Sequence, residues 1–323
     1  MKKVSGFVWA ILFILFVVAS FAVFQLSPGD AASKKPRVNS SDILSGGPPK
    51  DGIPAIDKPA FDTVKTTPFQ KDNMILGIVV DGEARAYPYA ILNWHEIVND
   101  KINGKPVSVT FCPLCDTGIA FERIVGDKET TFGVSGKVYQ SCLVMYDRAT
   151  GTLWSQPWGT GIKGDQTNNN LNRIPMVKTT LGKWIEKYPE TKILSTKTGH
   201  IRDYFYTPYN NYAESPQLYF PVRNLDKVKG HTKESITIVW EPDGTTPLNH
   251  YGGKSKRFIN SEVREKKTID SQLGDLPIRA IWDKGLQTVK VFQIDSNGEM
   301  GGELPSTSSF AFVYSAFFQE LDF

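Results

Sequence analysis

Hydrophobic and polar positions alternate with a period near two over much of the chain, the pattern of half-buried strands. Ile75–Val80 and Glu83–Tyr87 flank Asp81-Gly82, a dipeptide suited to a tight hairpin turn. Pro88–Val98 departs from alternation. There Ile91, Trp94 or His95, and Val98 recur at helical spacing and predict a short amphipathic helix. Asn103-Gly104 then turns the chain into a strand over Val107–Phe111, and Ile119–Arg123 and Thr130–Val134 read as further strands on either side of Gly126-Asp127. Leu143–Asp147 and Thr152–Gln156 make another hairpin around Ala149-Thr150-Gly151. Thr180–Tyr188 is a second helix, stopped by Pro189. Residues 200–225, dense in Tyr, Pro and Asn, read as long ordered loops.

Part of this pattern occurs twice. Pro106–Phe121 aligns without gaps to Pro277–Phe292: proline, a large aromatic (Phe111, Trp282), threonine (Thr117, Thr288) and phenylalanine recur at matching offsets. Both stretches predict strand–turn–strand, with Asp283 and Leu286 standing where the first copy has Cys112 and Cys115. The fold class that follows is β-rich α+β: two related β-sheet units with short helices, over 51–170 and 171–323.

The N-terminus is different in kind. Lys2 and Lys3 precede an uncharged apolar stretch, Val4–Leu26, long enough for a transmembrane helix and long for a cleaved signal. The two lysines put its start in the cytoplasm, so the main body is expected on the extracytoplasmic side, anchored at the membrane, or secreted if Ala31-Ala32-Ser33 is a cleavage site. Residues 1–26 are thus a membrane anchor or signal segment, and 27–50, rich in Ser, Pro, Gly and Lys, a flexible tether. Of the formal net charge of +3, those two lysines supply most. With no basic tract carrying interleaved aromatics, nucleic acid is not an expected partner. With no phosphate-cradling glycine loop, no nucleotide cofactor is expected.

The candidate chemistry lies at Phe111-Cys112-Pro113-Leu114-Cys115, which holds two of the three cysteines. In an oxidising compartment such a pair is a disulfide, a redox couple or a metal clamp. The leading expectation is a metal site of Cys112, Cys115 and His95, with Cys142 and Met145 as further donor candidates. Sulfur with imidazole suits copper more than zinc. Thiol–disulfide exchange with Cys112 attacking is the enzymatic alternative. It would need an accessible thiolate at a helix N-terminus, and no helix is apparent after Cys115. The third reading is a binding scaffold with a structural disulfide. Weaker signals come from Glu96 and Asp100, read as a solvated helix end, and from Arg123, Asp147 and Arg148, read as structural ion pairing. Trp154, Trp158 and Tyr204–Tyr212 read as aromatic core. Ser135-Gly136 lacks a nucleophile-elbow context, and His200, His231 and His250 lack ligand spacing. No substrate, redox partner or metal-transfer partner is named by these residues.

Several stretches together resemble a family of bacterial and archaeal extracytoplasmic proteins known as domain of unknown function 3179. They are Asp51–Phe61, Gly82–Pro88, His95–Asp100, Val109–Cys115, Phe132–Gly136, Leu143–Arg148 and Leu153–Gln156. The resemblance spans about 50–300. It implies an extracytoplasmic domain and no established activity. That family more usually carries Asp or Asn where this chain has Cys142.

Overall fold

Asp81-Gly82 closes the first expected hairpin in the computed structural model, which describes residues 38–228, 230–240 and 255–318. Strand β2 (Met74–Val80) pairs antiparallel with β3 (Glu83–Pro88). Helix α1 is shorter than its periodicity suggested. It spans Tyr89–His95 and stops at Glu96, whose φ of 57° and ψ of −31° leave the helical region. Ile97 and Val98 then enter β4 (Ile97–Ile102), where β-branched side chains pack better than on a helix. Strand β4 pairs with β5 (Lys105–Cys112), and β5 with β6 (Thr117–Glu122).

The internal repeat is structural. Strands β12 (Ser235–Trp240) and β13 (Ser255–Ile259), α3 (Asn260–Lys266), β14 (Thr268–Leu273), β15 (Leu276–Asp283) and β16 (Thr288–Ile294) retrace β2 through β6. Registers coincide: Ile75 faces Pro88 as Ile236 faces Ile259, and Cys112 faces Thr117 as Asp283 faces Thr288. Lys267, at φ 67°, takes the place of Glu96. The four-residue turns end alike, on Asp116 and Gln287, each at φ 52°.

The two copies are interleaved. Strand β11 (Met176–Thr180) runs antiparallel to β2 and leads into α2 (Leu181–Lys187), which Thr180 caps. Its counterpart β17 (Ser306–Phe310) runs beside β12 and leads into α4 (Ala311–Phe317). Yet Phe310 N donates to Cys115 O at 3.0 Å, and the Thr179 hydroxyl donates to Leu286 O, so each turn is capped by the other copy's strand. The described residues accordingly belong to one compact unit, and β11 completes the first copy's sheet from beyond residue 170.

Among the described residues, one layer belongs to the first copy alone. Between β6 and β11 the chain makes β7 (Phe132–Tyr139), β8 (Cys142–Asp147), β9 (Leu153–Ser155) and β10 (Thr160–Lys163). With β1 (Leu44–Ser45) they form a five-stranded sheet in the order β1-β7-β8-β9-β10. The expected tether therefore ends early: Val38 is buried, and Leu44 pairs with Val138. This segment crosses Gly136 at φ +70°, where a Cβ would fall 2.2 Å from Pro48 O. Gly136→Ala is expected to lower stability by about 1–3 kcal/mol, visible as a lower urea midpoint with unchanged slope.

The expected anchor over Val4–Leu26 lies outside the described residues. Among the described residues, no helix is long and apolar enough to cross a membrane. The stretch from Ser195 to Asn224 contains no helix or strand, in keeping with long ordered loops.

Candidate functional site

Alternation along β5 decides where Cys112 points. Val107, Val109 and Phe111 enter the core shared with α1 and α2, while Cys112 joins the core built on the five-stranded sheet. The turn after it folds Cys115 back, with Cys115 N donating to Cys112 O at 3.3 Å. Cys142 arrives from the inserted sheet. It opens β8 directly after Gln140 and Ser141, which at φ 52° and 58° form a tight primed-type turn. All three cysteines are free thiols and buried, Cys112 at 1 % and the others at 0 % exposure.

The three thiols share one buried core and act on one another electrostatically. Burial alone would push Cys112 up, but the Cys115 and Cys142 thiols and the Leu143 and Cys115 amides together hold it well below the ordinary thiol range. Leu143 N lies 3.3 Å from Cys112 Sγ. Burial, followed by the hydrogen bonds to Cys112, pushes Cys115 up, and Cys142 is raised by burial and by both neighbours. The cluster thus favours one thiolate, at Cys112, with two protonated thiols beside it.

Cys112 also lines a cleft of about 160 Å³, walled by Glu96, Leu114, Val134, Leu143 and Tyr209 among others. The loop expected over 200–225 forms its cover: the Tyr212 hydroxyl donates to Leu114 O at 3.0 Å, and Tyr209 faces the cleft. Glu96 is 7 % exposed, and burial, then the nearby Cys112 charge, pushes its carboxyl well above the usual range.

His95 does not join the cysteines. Its Nδ1 lies 2.7 Å from Pro54 O and its Nε2 2.8 Å from the Tyr204 hydroxyl, so both nitrogens are occupied by protein groups. A carbonyl partner requires the proton on Nδ1, leaving Nε2 to accept from Tyr204. Burial, with His200 and Arg202 adding positive charge, lowers its pKa to about 4 although the Pro54 bond opposes this. A histidine held neutral in the fold but protonated from about 6.5 in the unfolded chain leaves stability intact above that pH. As pH falls from about 6.5 toward about 4, on the order of 3 kcal/mol is lost. His95→Gln should flatten that limb of a urea-unfolding profile; an unchanged limb would assign it to other groups.

Met145 lies three residues beyond Cys142, on the opposite face of β8 by alternation. Among the described residues, no group of three or more His, Cys, Asp and Glu donors is arranged to hold a metal ion. Glu96 and Asp100 are not a solvated helix end: both are buried, and Asp100 binds Arg85. Arg123, Asp147 and Arg148 are structural. Arg123 donates to the Asp100 and Val107 carbonyls, Asp147 accepts from Trp154 Nε1 at 2.9 Å, and Arg148 pairs with Asp57 at 2.7 Å. His200 lies against His95, and His250 is outside the described residues. Glu96 reads as a solvated helix end because it stands where helical periodicity gives way to alternation; the fold instead places it on the cleft wall.

No curated protein and no solved structure matches the chain. A family model matches residues 50–321, so the chain belongs to the family described as protein of unknown function, DUF3179.

Proposed function

We propose that the domain is a thiol-redox protein whose working group is Cys112 and whose oxidant is a small molecule. The observation that carries this reading is that Cys112 lines a cleft while Cys115 and Cys142 lie in the same buried core beside it. A small oxidant such as hydrogen peroxide would take the Cys112 thiolate to a sulfenic acid. Attack by the Cys115 or Cys142 thiol would then form a disulfide and release water. A protein disulfide is a poor substrate here, because Cys112 is buried, lies between two strands, and has β6 rather than a helix after it. Turnover requires an external dithiol to return the two electrons.

Reduced protein treated with hydrogen peroxide should lose two of its three thiols and yield a peptide joining Cys112 to Cys115 or Cys142. Cys112→Ser should abolish both. Thiols that stay intact in folded wild type overturn the reading.

A soft-metal reading is second: Cys142 would replace His95 as the third donor, and the three sulfurs would have to rearrange around the ion, since they are not set in a metal-holding arrangement here. Trigonal thiolates suit monovalent copper better than zinc. Competition for copper(I) against a chromophoric chelator tests it, and loss of binding in Cys142→Ser is the expected result. With the anchor expected from Val4–Leu26, either chemistry would operate on the extracytoplasmic side, tethered to a membrane.

A further inference from the structure

Glu96 is a buried acid that the fold does not require. Its counterpart Lys267 holds the same helix-ending backbone, yet is exposed and donates to Arg264 O at 2.7 Å. The left-handed turn therefore tolerates a solvated side chain. In the first copy the side chain instead turns inward beside Cys112, and among the described residues its carboxyl has no hydrogen-bond or ion-pair partner. Its oxygens are not among the fully buried atoms left without a partner, so the carboxyl opens onto the cleft, where a bound molecule can meet it. The other titratable groups on the cleft wall are Tyr209, Tyr219 and the exposed Lys137. The rest is largely apolar, including Ile53, Leu114 and Val134.

We propose that Glu96 protonates the alkoxide leaving group when Cys112 is oxidised and that the cleft takes small, uncharged alkyl hydroperoxides. This rests on the thiol-redox reading above. The Cys112 thiolate attacks the terminal hydroxyl oxygen of R–O–O–H. The S–O bond forms as the O–O bond breaks, and its electron pair departs on the alkoxide oxygen. That oxygen takes the Glu96 proton. The products are the Cys112 sulfenic acid, the alcohol ROH and the Glu96 carboxylate. Burial keeps the acid protonated until it is needed, and the thiolate beside it acts in the same direction. The volume, about 160 Å³, admits a molecule of a few carbon atoms.

The test uses the full reduced chain in single-turnover oxidation, comparing tert-butyl hydroperoxide with peracetic acid. An alkoxide leaving group needs a proton, whereas acetate does not. Glu96→Gln should slow tert-butyl hydroperoxide about 10²-fold and leave peracetic acid within about threefold. Equal slowing of both reagents, or of neither, overturns the role of Glu96 while Cys112 oxidation still stands. If wild-type Cys112 reacts with neither reagent, the thiol-redox reading fails and takes this proposal with it. Wild type gives an independent reading should the variant misfold. Across a series of leaving groups its rate should vary less steeply than that of free cysteine thiolate, and an equal slope overturns the proposal. A carboxylate-bearing hydroperoxide should react at least about tenfold more slowly than the neutral one, since its charge must be buried. Parity overturns the substrate class.

Discussion

Asp100→Ala is expected to lower stability by about 3–5 kcal/mol. Asp100 is 4 % exposed and sits on β4, where its carboxylate accepts from Arg85 Nη1 and from the Tyr87 hydroxyl, each at 2.5 Å. Its second role is to receive the Lys101 amide at 2.6 Å. Truncation leaves Arg85 with Glu83 alone and the buried Tyr87 hydroxyl without a partner. The loss comes mainly from uncompensated buried polar groups rather than from the worth of the pair itself. Replacing both ends, Arg85→Met with Asp100→Leu, should therefore cost much less than the single change. Urea unfolding of the three variants decides it. A single-variant loss below about 1 kcal/mol would show that the network is as weak as a surface pair.

Grafting the second copy's turn residues onto the first, Cys112→Asp with Cys115→Leu, is expected to destabilise the fold by about 3–5 kcal/mol despite the matching backbone. Asp283 can be a carboxylate because its side chain is 22 % exposed and lies 3.7 Å from Lys187, and its Oδ1 accepts Leu286 N at 3.0 Å. Position 112 offers 1 % exposure, and the cleft it lines is largely apolar. An aspartate there must be buried unpaired or take up a proton. The control is Cys112→Ala with Cys115→Ala, which removes the sulfur without adding charge and should cost about 1–2 kcal/mol. A graft that melts with the control would mean that solvent reaches position 112 in a way its burial denies.

The repeat was legible because it is written in local chemistry. Phe111 and Trp282 sit alike near the ends of their strands, and the backbone amides of both donate to the residue that ends the preceding helix, Phe111 N to Glu96 O at 2.7 Å and Trp282 N to Lys267 O at 2.9 Å. Thr180 before an apolar run likewise announced α2. The shortening of α1 was less legible. Ile91, His95 and Val98 keep helical spacing, but Val98 is buried from a strand, because a single left-handed residue reverses the chain between them.

From the sequence alone came the β-rich class, the matching strand–turn–strand stretches and the family, since each rests on residues near one another in the chain. The site's membership depended on tertiary structure. His95 is nearer to Cys112 in sequence than Cys142 is, yet it packs on Pro54 and Tyr204, while the inserted sheet carries Cys142 to the two thiols. Periodicity reports which face a side chain takes; it does not say which sheet will cover that face. That was decided by a layer inserted between β6 and β11, present among the described residues in only one of two otherwise matching copies; the cleft that Cys112 and Glu96 line runs along it.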